Sequence, residues 1–98
     1  MSITAITPIP SGSALRVYLS PPAGAVAWRI LRKAADTFTG PNDVDALVVH
    51  AGTARSALDD VGLVDGSTYF YRVYYWSGTT WTASASLSAT PGATYSDE

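Results

Sequence analysis

Cysteine is absent from the chain, so disulfides and thiolate metal sites are excluded, and the redox compartment stays open. Charge is scarce too, since charged residues make up 14% of the chain, against a usual fraction of about 25%. The six Lys and Arg residues are dispersed and the net charge is −2, which gives no basic stripe for nucleic acid or an anionic membrane. There is also no glycine-rich phosphate loop. We therefore expect no cofactor and no nucleic-acid partner.

Long apolar runs are missing as well. No stretch is long enough to span a bilayer, and residues 1–4 lack the basic and apolar regions of a secretory signal. We expect no membrane insertion. If the protein leaves the cell, we expect it to do so by another route.

The sequence does contain a strong alternation of apolar and polar residues. With 47% hydrophobic residues over 98 positions, the composition is ample for the core of one domain. The alternation has period two and turn residues interrupt it at short intervals, which predicts an all-β fold. The predicted strands cover 3–7, 15–19, 26–33, 46–51, 56–61, 69–76 and 81–89. We predict one β-sandwich over residues 1–91 and a C-terminal tail over 92–98.

The segment from Leu63 to Tyr69 is the most informative motif. In a two-sheet sandwich, a tyrosine near the start of strand F turns its hydroxyl back to the upstream backbone and fixes the crossover between sheets. The spacing from Leu63 through Gly66 to Tyr69 resembles the fibronectin type III family. That resemblance implies an immunoglobulin-like antiparallel β-sandwich of about seven strands. We expect the ring of Tyr69 in the core and its buried hydroxyl donating to a carbonyl.

The resemblance extends over nearly the whole chain. Residues 15–22 resemble the second strand of such modules, and residues 28–30 resemble the opening of the third. Leu19 stands where family members usually place a core tryptophan, so Trp28 or a tyrosine is expected to fill that volume. Residues 60–73 are similar to a bacterial and bacteriophage branch, whose modules recur in phage tail and other virion proteins and in secreted glycan-degrading enzymes.

A catalytic site finds little support. The single histidine, His50, would need a nucleophile and an orienting carboxylate beside it, for which Ser56 with Asp59 or Asp60 is the only candidate set on paper. A solvent-facing strand histidine is the simpler interpretation. We predict no enzyme and no catalytic residue.

The support for a metal site is equally weak. The oxygen-bearing side chains of Asn42, Asp43 and Asp45 resemble the start of a calcium loop, but residues 46–48 lack the acidic and glycine positions that such a loop needs. An Asp-rich turn is the prediction here.

The outer surface of the sandwich is more suggestive. The alternation places one set of residues inward: Leu15, Val17, Leu19, Trp28, Ile30, Tyr69, Tyr71, Val73 and Leu87. The remaining positions of two neighbouring strands then form an outer patch of aromatic and arginine side chains: Arg29, Leu31, Phe70, Arg72, Tyr74 and Trp76. Tyrosine, tryptophan and arginine are enriched at interface hot spots. Either this patch contacts a partner, or arginine stems and a loop cover its rings.

Trp81 has two possible orientations. Its parity with Ala83 and Leu87 points it inward, whereas direct pairing with Trp76 across the turn at 77–80 would put both rings outside. A bulge at Gly78 would decide between them.

The strand at 46–51 is predicted at a sheet edge without the lysine or proline that usually protects such an edge. We expect one of two arrangements: either a neighbouring chain covers or extends this edge in an assembly, or the long preceding connection shields it.

These observations favour a non-catalytic structural module that presents its outer sheet to another protein of a bacteriophage virion, most simply in the tail. Its expected location is the phage particle assembled in the host cytoplasm, with self-association also possible. The alternative is a glycan- or host-surface-binding accessory module of a phage fibre or a secreted, extracellular glycan-degrading enzyme, in which Tyr74, Trp76 and Trp81 stack on sugars.

Overall fold

The computed structural model describes residues 2–9 and 12–92, and that part of the chain forms strands without any helix. The strands are β1 (Ser2–Pro8), β2 (Leu15–Ser20), β3 (Ala27–Lys33), β4 (Leu47–Gly52), β5 (Ser56–Asp59), β6 (Tyr69–Trp76), β7 (Trp81–Ala83) and β8 (Leu87–Ala89). They form two antiparallel sheets. One has the order β1-β2-β5, and the other has the order β4-β3-β6-β7 with β8 also paired to β6. The all-β prediction is confirmed. A helix able to cross a membrane does not occur among the described residues.

The core lies between the two sheets and follows the predicted alternation. Leu15, Val17, Ile30, Tyr71 and Val73 are fully buried. Each large apolar side chain so buried contributes about 1.5–3 kcal/mol of transfer free energy, most of which conformational entropy offsets.

Trp28 of β3 belongs to the core, in the same cluster of buried residues as Leu19. Its ring is 5% exposed and packs edge-on against Tyr75, with 5.9 Å between ring centroids. Its indole N–H donates to the carbonyl of Ala54 at 2.8 Å. Trp28 is therefore a core residue, as predicted, and its compensation for a tryptophan at position 19 stays a prediction.

The last predicted strand is interrupted between β7 and β8, and Leu87 follows the interruption. Ala83 pairs with Tyr74 and Leu87 pairs with Tyr71, so residues 84–86 stand opposite only two residues of β6. The extra residue is a bulge that reverses the parity of the strand. Leu87 therefore faces the same side as its partner Tyr71, but it lies on an edge strand and remains 40% exposed, so its prediction as a core residue is wrong.

Ser84 holds this bulge together. It is 2% exposed, its hydroxyl accepts the backbone N–H of Val73 at 3.1 Å, and the same hydroxyl donates to the carbonyl of Ala85 at 2.9 Å. The serine side chain thus supplies the acceptor that the interrupted ladder does not provide to the Val73 N–H.

The tyrosine corner is present, but its hydrogen bond runs in the opposite direction to the one expected. The hydroxyl of Tyr69 accepts the backbone N–H of Val64 at 2.9 Å, and its ring is half-buried. The predicted donation to a carbonyl from a buried hydroxyl is therefore wrong. Leu63 is 8% exposed within the core, and Gly66, with φ of 88°, donates to the carbonyl of Pro91 at 2.8 Å. The corner is thereby tied to the end of the domain.

A buried ion pair beside the corner connects the two sheets. Arg32 of β3 places Nη1 2.7 and 2.8 Å from the two carboxylate oxygens of Asp59 in β5, and the same nitrogen donates to the carbonyl of Val61. Tyr71 of β6 donates to Asp59 at 2.6 Å. The Asp59 side chain is 1% exposed and that of Arg32 is 12% exposed. Because burial and the Asp59 carboxylate both disfavour the phenolate, the pKa of Tyr71 is raised above its ordinary value.

Candidate functional site

The residues considered for a catalytic site, His50 and Ser56 with Asp59 or Asp60, do not come together in the structure. His50 lies in β4 opposite Ile30, and its Nε2 accepts the backbone N–H of Ala54 at 3.2 Å. Ser56 belongs to the other sheet, where it pairs with Tyr18. The Asp59 carboxylate is occupied by the ion pair described above. The half-buried imidazole thus has a local structural partner, and its acceptor nitrogen is not directed at a hydroxyl.

The acidic turn is also occupied by internal contacts. The Asp43 carboxylate lies 3.0 Å from Lys33 Nζ and accepts the backbone N–H groups of Thr39 and Asp45. The hydrogen bond from Lys33, helped by these N–H groups, lowers the pKa of Asp43 to about 2. The carboxylate therefore fixes the connection between β3 and β4, and no group of residues suited to hold a metal ion occurs within the described ranges.

Most of the predicted outer patch is closed. Leu31 is fully buried and Tyr74 is 5% exposed, although both occupy outward positions. The connection at 34–46 is bonded to this face, because Arg29 Nη1 donates to the carbonyl of Pro41 at 3.0 Å and to the side chain of Asn42. Leu31 and Tyr74 therefore cannot present their side chains to a partner, and their assignment to the binding surface is wrong.

The side chains of Arg72 and Phe70 are also partly engaged in contacts within the domain. The Arg72 guanidinium lies 5.6 Å from the centre of the Tyr74 ring, and its Nε donates to the carbonyl of Ser84 at 2.8 Å. Phe70 is half-buried and pairs with Lys33 and Ser88. The middle of the outer face is thus an internally packed layer.

One end of the same face remains open around two tryptophans. Trp76 pairs directly with Trp81 across the turn at 77–80, and their ring centroids are 5.1 Å apart with the planes inclined at 46°. The Arg29 guanidinium lies 5.1 Å from the centre of the Trp81 ring. Both tryptophans are half-buried. The side chain of Trp81 therefore lies on the outer face of the sheet, because the bulge follows β7 at 84–86 instead of lying at Gly78.

These three side chains border a cleft of about 380 Å³, which we call the tryptophan cleft. Its lining is Ala27, Trp28, Arg29, Ala51, Gly52, Trp76 and Trp81. The small residues at 27, 51 and 52 leave the space beside the rings, and sequence reasoning missed them. Alternation alone indicated which residues face outward; it gave no sign that small side chains on β3 and β4 would sit beside the tryptophans.

The edge prediction for the fourth strand is confirmed. β4 ends the larger sheet, pairs with β3 alone among the described strands, and leaves Leu47 36% and Val48 50% exposed. A bulge interrupts its pairing with β3 between Ile30 and Leu31. Bulges twist an edge and make it a poorer template for another strand, so this edge has one of the usual protections.

The fold has a solved counterpart. The structure is similar to the crystal structure of an Fn3-like protein from Clostridium thermocellum, with a TM-score of 0.69 and 21% sequence identity over 86% of this chain and 82% of that chain. The domain therefore has a fibronectin type III-like fold, as predicted. No family model and no curated protein matches the sequence. At this identity the likeness concerns the fold alone, and the similarity to a phage branch stays a prediction from residues 60–73.

Proposed function

We propose that this domain is a non-catalytic interaction module whose contact surface is the tryptophan cleft. The observation that carries the proposal is the contrast along one sheet face, where Leu31 and Tyr74 are buried while Trp76, Trp81 and Arg29 border an open cleft. Function is argued from this site, since the fold supports many unrelated roles. Tryptophan and arginine are the residue types that dominate binding energy at protein interfaces.

The proposed setting is a bacteriophage virion, with the tail as the simplest location and assembly in the host cytoplasm. The support is the similarity of residues 60–73 to phage modules. The partner is then another virion protein that buries the two tryptophan rings. The covered centre of the sheet provides a rigid support, which lowers the ordering cost of binding.

Incorporation into particles tests this proposal. The change is Trp76→Ala with Trp81→Ala, and the measurement is the amount of the protein in purified particles by quantitative mass spectrometry. Tyr18→Ala is the matched control, because Tyr18 is an aromatic side chain 39% exposed on the smaller sheet. We expect the double variant to be lost from particles and the control to be retained. Absence of the unmodified protein from particles contradicts the virion setting, and normal incorporation of the double variant contradicts the contact surface.

The exposed edge offers a second contact. We propose that a neighbouring chain, either another virion protein or a second copy, covers Leu47 and Val48 on β4 in the assembly. Amide exchange of residues 47–52 should then slow on assembly. Equal exchange rates in the isolated and assembled protein would contradict it.

A second candidate function is glycan binding, on a phage fibre, at a host surface or in a secreted glycan-degrading enzyme. The cleft volume favours it, since about 380 Å³ lies within the range of about 300–1,000 Å³ typical of small-molecule sites. Two inclined indole rings also offer apolar walls for sugar faces. A saccharide that stacks there should change tryptophan fluorescence, and Trp81→Ala should abolish the change. A module that contacts only protein should show no response to sugars.

A further inference from the structure

We propose that the tryptophan cleft selects an acidic saccharide, one that carries the carboxylate of a uronic acid, and that Arg29 binds this carboxylate. The inference rests on the second candidate function and adds the chemical class of the ligand.

The first argument is the hydrogen-bonding state of Arg29. Both bonds that its guanidinium makes within the described ranges come from Nη1, which donates to the carbonyl of Pro41 and to the side chain of Asn42. An arginine side chain has five N–H donors. Nε and Nη2 therefore keep three N–H groups with no acceptor among the described residues. These two nitrogens form one edge of the fork, the geometry that a carboxylate meets with two parallel hydrogen bonds.

The second argument is preorganisation. The guanidinium is held by the backbone at Pro41, by the side chain of Asn42 and by the face of Trp81 at 5.1 Å. Free arginine side chains lose much rotamer entropy when they become ordered. In Arg29 much of that ordering occurs on folding, so a ligand that meets the remaining edge bears less of this cost.

The third argument is charge. Arg29 is the one charged residue that lines the cleft, and the other lining residues are small or aromatic. The chain as a whole has a net charge of −2, so the cleft has the opposite sign to the molecule that contains it. An anion is favoured there, and partial exclusion of water by the indole rings strengthens the attraction.

The fourth argument is shape. Trp76 and Trp81 are inclined at 46° with centroids 5.1 Å apart, so the rings pack against each other and present two adjoining walls to the cleft, not one flat platform. A pyranose ring has an apolar face for such a wall, and a uronic acid adds a planar carboxylate at its rim. A neutral sugar would contact the rings and could offer hydroxyl oxygens to Arg29, but it would lack the charged pair of oxygens that meets the fork with two parallel hydrogen bonds.

The test compares two matched ligands on the full chain. Galacturonic acid trisaccharide and the neutral galactose trisaccharide are titrated by tryptophan fluorescence and by NMR of the indole N–H groups. We expect the acidic trisaccharide to bind at least tenfold more tightly at low salt, and we expect this preference to shrink as ionic strength rises.

Three variants separate the guanidinium from the loop that it holds. Arg29→Gln should reduce the affinity for the acidic sugar to that for the neutral one. Asn42→Ala removes one of the contacts that orient the guanidinium but leaves the guanidinium itself, so it should weaken the preference much less than Arg29→Gln does. Arg16→Gln, on the smaller sheet, is the control for net charge and should retain the preference.

The outcomes distinguish this inference from the functions proposed above. Equal affinity for both trisaccharides would overturn the carboxylate and leave glycan binding in place. No binding of either would overturn this inference together with the glycan function, while the particle assay would still decide the protein-contact function. Loss of the preference in Asn42→Ala as large as in Arg29→Gln would assign the effect to the loop and overturn the role of Arg29.

Discussion

Removing the Asp59 carboxylate should be among the most damaging single changes in this domain. Asp59 accepts from Arg32 and Tyr71, and its side chain is 1% exposed, so Asp59→Ala leaves a cation and a phenol without their acceptor between the sheets. Removing one partner of a buried ion pair typically costs about 3–5 kcal/mol, because the remaining charge stays desolvated.

Contacts in the structure narrow the loss of stability expected for Asp59→Ala. The Arg32 side chain is 12% exposed and also donates to the carbonyl of Val61, so solvent and backbone relieve part of the loss. The hydroxyl of fully buried Tyr71 loses its acceptor, which adds about 1–3 kcal/mol. We expect a total near 4 kcal/mol for Asp59→Ala. For a domain of this size that corresponds to a fall in Tm of roughly 16–32 °C.

Urea denaturation followed by tryptophan fluorescence measures this loss. Asp60→Ala is a matched control, because Asp60 is the same residue type one position further on and is exposed. The double variant Arg32→Met with Asp59→Ala should be more stable than the sum of the two single changes predicts, since no unpaired charge remains. Tyr71→Phe keeps the ion pair and should cost only about 1.5–3 kcal/mol. If Asp59→Ala falls within about 1 kcal/mol of Asp60→Ala, the buried ion pair does not hold the sheets together as argued.

Four further predictions follow from the same contacts. Tyr69→Phe should cost about 1 kcal/mol or less in urea denaturation, because the N–H that it leaves behind is exposed to water. Burial raises the pKa values of Tyr71 and Tyr75 above 10.0, so folding favours the neutral phenols. Their contribution to the free energy of unfolding should therefore be fully present below pH 10 and be lost above it. For Tyr71 the loss should reach up to about 1.4 kcal/mol per pH unit. The pKa of Asp43 is lowered from 3.8 to about 2, so its contribution should be present above pH 4 and be lost as the pH falls through 2, and Asp43→Asn should flatten that part of an acid titration. Ser84→Ala should cost about 1–3 kcal/mol in thermal denaturation, because a buried backbone N–H loses its acceptor.

The sequence predicted the parts of the fold that depend on local pattern. Alternation identified the inward residues of β2, β3 and β6, because one face of each of these strands is buried over most of its length. The spacing from Leu63 to Tyr69 identified the corner, because the crossover needs a tyrosine and a residue that tolerates positive φ, here Gly66, at fixed distances.

Long-range polar contacts and irregular pairing were not predictable in the same way. Arg32 and Asp59 are separated by 27 positions, and each reads as an ordinary polar residue of its strand. The bulge at 84–86 has no glycine or proline to mark it, and it is held by the side chain of Ser84. A single inserted residue reverses the parity of everything beyond it, which is why Trp81 and Leu87 were assigned to one face when they lie on opposite faces.

The candidate site depends on the features that the alternation could not predict. Because the bulge follows β7, Trp81 stays opposite Trp76 and outside the core. Because Arg29 bonds the connection at Pro41 and Asn42, the same guanidinium closes the middle of the face and borders its open end. The covered layer and the cleft therefore share one side chain, and folding of the connection fixes the orientation of the group that we propose to meet the ligand. A sheet with the same outward residues but no such connection would leave its arginine to be ordered by the ligand, at a cost in affinity.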